Sequence, residues 1–372
     1  MDRRQFLSLS AMSLAGLALS DIGLDAKAPS HYNVVILGDT HFDTEPASVY
    51  HSCYNEPTEW LNRVQRAEFA RNGEMWRERC PRLLRRASRL IDERTAMVFQ
   101  MGDLIQGDCG SGEVHVKMLR DVMDSFKSEL GGLPFVTVVG NHDIRGVDAQ
   151  EAYERYMPAR MSQELGKKID KTTFSFNIGR DAYIVIDFSH PDDEEIERLL
   201  EATKGARHSF IISHGPVLPY DGSSCRWFFH GSDKEKHTKA RLHFREEFAR
   251  RGAIVLCGHT HHTELADWYG DGGRITQMTM TSVWSRPELD RYVVKAQGAE
   301  EYGILRTRLE SMPNGSPVKD ETALFDEYRA GLKRYSISPA AGSYRLDVTR
   351  HGITVDFYAG DSETLTQRFE LR

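Results

Sequence analysis

Five times between residues 33 and 261 a short apolar run breaks off at a turn carrying Asp, Asn or His. Asn33-Val34-Val35-Ile36-Leu37 leads into Gly38-Asp39-Thr40-His41, and Ala96-Met97-Val98-Phe99-Gln100-Met101 leads into Gly102-Asp103. Pro134-Phe135-Val136-Thr137-Val138-Val139 leads into Gly140-Asn141-His142-Asp143, Ser209 to Ser213 delivers His214, and Ala253 to Cys257 delivers Gly258-His259-Thr260-His261. Short apolar runs bounded by turn signals read as strands buried on both faces, the strand type of parallel sheets covered by helices. Sheets of that kind bind ligands just beyond the carboxyl ends of their strands. The chain is thereby constrained to gather these polar turns at one edge of its fold.

Each turn alone is equally readable as an ordinary polar turn, since Gly, Asn and Asp are common turn residues. Asn141, His142 and Asp143 offer an amide oxygen, an imidazole and a carboxylate to one spot, and Gly140 permits the sharp bend before them. Asp39 and His41, like His259 and His261, lie two apart, which puts each pair on one face if the segment is extended. His262 falls on the opposite face and is set aside as a structural or supporting histidine.

Helical periodicity runs over Thr58 to Arg94, with Pro81 expected to open a second helix there, and over Glu113 to Leu130. Further helices are expected near Asp148 to Tyr156, over Asp192 to Thr203, with an acidic amino end, and within Ser316 to Leu332. Strands are expected at Thr173 to Asn177, Ala182 to Asp187, Glu264 to Trp268, Arg274 to Thr281, Tyr344 to Thr349 and Ile353 to Tyr358. Residues 42–57 and 285–317 read as polar and irregular.

In this order, Asp39-x-His41, Gly102-Asp103, Gly140-Asn141-His142-Asp143, His214 and Gly258-His259-x-His261 resemble the five signature blocks of the calcineurin-like metallophosphoesterases. The resemblance implies an α/β sandwich of two mixed β-sheets flanked by helices, spanning residues 29–372 with a C-terminal strand extension. It also implies hydrolysis of a small phosphate-ester substrate, a phosphodiester first and a phosphomonoester or nucleotide second, by metal-activated hydroxide. Phosphate esters resist attack because their oxygens are negative, and two divalent cations about 4 Å apart neutralise that charge. Asp39, His41, His261 and Asp103 would hold the first metal and Asn141, His214 and His259 the second, with Asp103 bridging. His142, not itself a ligand, would stabilise the oxyanion or protonate the leaving alkoxide, with Asp143 orienting its ring. A mixed Asp, His and Asn set without thiolate suits Mn, Fe or Zn. Purple acid phosphatases of this superfamily carry a tyrosine three residues after the bridging aspartate; Gln106 stands there in this chain, which speaks against a purple Fe(III) enzyme.

Arg3-Arg4-Gln5-Phe6-Leu7 followed by the bland apolar stretch Ser8 to Leu19 resembles a twin-arginine export signal. Residues 1–28 are therefore expected to be a signal segment, with the mature start between residues 21 and 29 and the product exported, periplasmic or extracytoplasmic. The twin-arginine machinery would be its partner. No integral membrane segment is expected, because the body contains no run of 18 apolar residues. The net charge of -7 and the lack of a basic block exclude the electrostatic footprint of a protein that binds nucleic-acid polymers. Cys53, Cys80, Cys109, Cys225 and Cys257 show no regular spacing, so no disulfide is readable from them. The aromatic loop from Gly215 to Gly231 is open to two readings, a stacking platform over the metals or a cluster packing its own loop. Arg145 is likewise either a phosphate contact or a surface charge.

Overall fold

A computed structural model describes residues 30–42, 58–219, 228–232, 234–282, 291–302 and 322–372. The twin-arginine segment and Tyr220 to Trp227 of the aromatic loop lie outside the described residues. Strand β1 (Tyr32–Leu37) is followed by helix α1 (Glu59–Ser88), β2 (Thr95–Gln100), α2 (Gly112–Glu129) and β3 (Phe135–Thr137). The three strands run parallel in adjacent positions, and every residue of β1 is buried.

Helix α1 departs from the expected break, because Pro81 lies inside one continuous helix. An interior proline costs about 3 kcal/mol. Here the turns around it bury Cys80, Leu83 and Ala87 completely, and each large apolar side chain taken from water returns about 1.5–3 kcal/mol. Tertiary burial thus outweighs the local break. Helix α2 begins at Ser111, whose hydroxyl accepts from the amide of Val114, and it buries Met118, Leu119, Val122, Met123 and Phe126 on its inner stripe.

The chain continues through α3 (Ala149–Leu165), the hairpin β4 (Phe174–Ile178) and β5 (Asp181–Ile186), α4 (Asp193–Ala202), β6 (Ser209–Ser213), α5 (Glu235–Arg250) and β7 (Ile254–Cys257). Helix α3 outruns the stretch read from the sequence because it absorbs Pro158. Helix α5 was not anticipated: Arg241, Phe244, Phe248 and Ala249 are its buried residues in an otherwise charged segment, too sparse an apolar stripe to read. Then come β8 (Thr263–Gly270), β9 (Gly273–Thr279), β10 (Ala296–Gln297), α6 (Thr322–Arg329), β11 (Leu332–Ser338), β12 (Gly342–Val348), β13 (Ile353–Ala359) and β14 (Gln367–Glu370).

Two sheets result, one ordered β14-β13-β12-β1-β2-β3 and the other β10-β11-β8-β9-β7-β6-β5-β4. Both are mixed: β12 pairs antiparallel with β1, while β5, β6, β7 and β9 run parallel between antiparallel neighbours. This is the α/β sandwich expected. Side chains alternate accordingly along β5, where Tyr183 and Val185 join the cluster between the sheets and Ile184 and Ile186 the cluster under the outer helices. Tyr32 on β1 crosses the sandwich, donating to Asp181 Oδ2 at 2.9 Å and meeting the Tyr183 hydroxyl at 2.6 Å. Among the described residues no helix is long and apolar enough to cross a membrane.

Candidate metal centre

The carboxyl ends of β1, β2, β3, β6 and β7 deliver their turns to one place, and the backbone there is held in costly conformations. His41, Asp103, His259 and His261 have φ of 42°, 52°, 74° and 52°, in the left-handed region that non-glycine residues avoid. The extended geometry read for the Asp39/His41 and His259/His261 pairs is therefore corrected: these side chains converge because the chain curls back at each ligand. Glycine is required where turns pass closest. A Cβ on Gly140 would lie 2.1 Å from the Asp103 backbone nitrogen, and one on Gly102, itself at φ 84°, would lie 2.5 Å from His214 Nδ1.

Two groups of ligand atoms form. Asp39, His41, Asp103 and His261 make the first and Asp103, His214 and His259 the second, the atoms of each group lying within 4.8 Å of one another. In the first, His41 Nε2 stands 2.9 Å from His261 Nε2 and 3.6 Å from Asp103 Oδ2. In the second, His214 Nε2 lies 3.2 Å from the same Asp103 oxygen, 3.1 Å from His259 Nδ1 and 3.2 Å from Asn141 Oδ1. Asp103 Oδ2 thus belongs to both groups, while its Oδ1 accepts the His142 amide at 2.8 Å.

These residues fit a cation. Asp39 Oδ1 accepts the His259 amide at 2.7 Å, yet Oδ2 is buried with no hydrogen-bond partner, and burial pushes this carboxyl up to about 7. Burial, aided by His142 nearby, holds His41 well below the ordinary histidine range, so a proton is poorly held between the facing imidazole nitrogens. At His214 burial works against charge, but the Asp103 carboxylate outweighs it and raises the imidazole to about 9. Convergent lone pairs in a water-poor spot that favours positive charge are what a divalent cation satisfies. The His214 Nδ1–H donates to the Met101 carbonyl at 2.7 Å, which fixes the ring orientation.

A family model described as calcineurin-like phosphoesterase matches residues 32–263, the stretch that carries all five turns. The chain belongs to the calcineurin-like phosphoesterases. This phosphoesterase is accordingly a metal-dependent hydrolase of phosphoesters, and its Asp/His cluster is the candidate seat of the family's dinuclear metal site. The solved structure of PhoD superposes with a TM-score of 0.50 at 10% identity, covering 92% of this chain and 69% of that one, which shows a shared fold. The anchor in the inner membrane complex of Plasmodium gives a TM-score of 0.46 at 13% identity over 92% of this chain and 89% of its own. No curated protein matches the chain.

His142 belongs to neither ligand group of this phosphoesterase, although its ring meets His41 edge-on at 4.6 Å. Its Nδ1–H donates to the Gln106 carbonyl at 2.8 Å, and the Gln106 side-chain nitrogen lies 3.2 Å away. Asp143, expected to orient that ring, does something else. It is fully buried, and its two oxygens accept the amides of Ile105 at 3.2 Å and Gly140 at 2.9 Å, tying the turn after β2 to the turn after β3. Gln106 takes the orienting role assigned to Asp143, a part no sequence signal beyond its proximity to Asp103 could reveal. His262 donates from Nδ1 to the Thr260 carbonyl at 2.6 Å and joins neither group. Arg145 places its Nε 3.9 Å from Asp108.

Gln100 and Phe188 also serve the centre and went unread. The buried Gln100 amide joins two turns to the end of β3: its nitrogen donates to the carbonyls of Gly38 and Gly102 at 3.1 and 2.7 Å, and its oxygen accepts from the Gly102 amide and the Thr137 hydroxyl at 3.0 and 2.5 Å. The Phe188 ring lies 5.4 Å from both His214 and His259, walling the second ligand group.

Proposed function

We propose that this phosphoesterase hydrolyses a phosphodiester with two divalent cations, held by the two ligand groups that share Asp103. The sharing of one carboxylate oxygen between two groups of imidazoles carries this reading. When bound, such ions supply charge neutralisation on the phosphate and an activated water nucleophile. The donors are oxygen and imidazole without thiolate, a set suited to Mn, Fe or Zn. His142 does the remaining work. With Nδ1–H engaged by Gln106, the protonated ring can turn Nε2–H to a phosphoryl oxygen as charge develops, or give that proton to the departing alkoxide.

Preference for a diester is supported by a cavity of about 360 Å³ that opens on Asn141 and His259. A second ester group needs such a place, and no Lys or Arg lines it among the described residues to balance the extra charge of a monoester dianion. Parallel assays of bis-p-nitrophenyl phosphate and p-nitrophenyl phosphate with added Mn should show the diester turned over more efficiently. Preference for the monoester would make the protein a phosphomonoesterase or nucleotidase, and turnover of neither would leave a metal-stabilised binding protein. We further propose that residues 1–28 direct export by the twin-arginine machinery, on the strength of Arg3-Arg4-Gln5-Phe6-Leu7. Carriage in the folded state would let the metals load before transfer.

A further inference from the structure

The cavity beside the second ligand group has a polar side that the phosphate chemistry does not use. Across from Asn141 and His259 it is lined by His230 and His237, with Phe188 and Phe228 as apolar walls. His230 is buried, and its backbone sits at φ 52°, a conformation a histidine keeps only when its surroundings impose it. They do so from several sides. Arg241 Nη1 donates to the His230 carbonyl at 3.0 Å, and Phe244 lies parallel to the ring at 6.1 Å. The His230 ring itself is held at both nitrogens, Nε2 by Asp193 Oδ1 at 2.9 Å and Nδ1 by His237 Nδ1 at 3.0 Å.

That chain of contacts fixes the tautomers. A carboxylate only accepts, so His230 donates from Nε2; burial keeps the ring neutral against the pull of Asp193, so its Nδ1 carries a lone pair and accepts from His237 Nδ1–H. With Nδ1–H so engaged, a neutral His237 ring has its lone pair on Nε2. The half-buried His237 thus offers an acceptor to the cavity, beside the aromatic walls and Ser189 and Ser232. Such a pocket matches a flat, apolar group that presents an N–H or O–H, and it discriminates against one that does not, because an acceptor covered by the bound group and left unmet costs binding.

We propose that Asp193, His230 and His237 form a hydrogen-bond relay which, with Phe188 and Phe228, recognises the non-leaving organic group of the diester. The group selected is ring-bearing and carries a hydrogen-bond donor. The proposal rests on the phosphodiesterase reading, and His237 is its specificity-determining residue.

Two esters that share p-nitrophenolate as leaving group test it: the p-nitrophenyl ester of thymidine 5′-phosphate, whose base offers one N–H, and methyl p-nitrophenyl phosphate. The wild-type enzyme should favour the thymidine ester in kcat/KM by roughly tenfold or more, the scale of one well-placed polar contact in a recognition site. Methylating that N–H should erase the advantage, and His237→Ala should bring kcat/KM for the thymidine ester down to that for the methyl ester. His237→Gln, which restores an acceptor, should recover part of it. Calorimetric titration with thymidine, weakened about tenfold in His237→Ala, reads the same contact without turnover. Turnover of neither ester would overturn the diester reading beneath the proposal. Equal efficiency on both esters, or a His237→Ala loss equal on both, would overturn the recognition site alone.

Discussion

His142 meets His41 edge-on yet gives no atom to either ligand group, so its removal separates chemistry from metal retention. His142→Ala should keep its metal and lower kcat by about 10²-fold, the usual effect of losing a positioned acid or charge stabiliser. The loss should be larger for an alkyl leaving group than for p-nitrophenolate, which departs without a proton; equal losses would assign His142 to oxyanion stabilisation. Metal content measured beside kcat decides whether the residue stands outside the ligand set. Asp143 should behave in the opposite way. Its replacement by Ala strands two buried amides, at about 1–3 kcal/mol each, so the thermal midpoint should fall in Asp143→Ala and hold in His142→Ala. The family resemblance implied that Asp143 would orient the His142 ring. Only the left-handed turn at Asp103 and the curl of the loop to Gln106 explain why it does not, and no residue type announces either feature.

At the scale of elements, the strand ends were legible because β1, β2, β3, β6 and β7 are buried on both faces and stop at glycine or a polar turn. What holds those ends in register was not, since Gln100 reads from sequence as one polar residue at the edge of an apolar run. Gln100→Leu fills the same volume while breaking five hydrogen bonds, to the turns after β1 and β2 and to the end of β3. Metal affinity should weaken about 10–100-fold, as expected when a residue that positions ligands is lost, although Gln100 touches no metal. Equilibrium dialysis of Mn against wild type and variant measures this directly, and an unchanged affinity would show that the turns hold themselves. Helix α1 and helix α5 were misjudged for opposite reasons. Pro81 is a strong local signal overridden by burial, and the few apolar residues of α5 are a weak local signal completed by the sheet beneath.

For the whole molecule, the proposed export would depend on assembly. If the proposed signal is read, Arg3→Lys with Arg4→Lys should hold the protein in the cytoplasm, and fractionation that recovers it unchanged in the periplasm would remove the export proposal. The twin-arginine route carries proteins already folded, and this fold closes late. β1, which bears the Asp39 turn, lies between β2 and β12. The Gly38 amide at its end donates to Ser282 Oγ, 244 residues further on, and the Ser282 hydroxyl in turn donates to the Gly342 carbonyl. Pairings so distant must bear the entropy of closing a very long loop before any contact rewards it. A chain still on the ribosome therefore has an open edge along its first strand and an unsupported first ligand until Gly342 has emerged. Cations would be captured at full strength only once Gly342 has joined that network, which makes metal uptake a report on the docking of β12 beside β1.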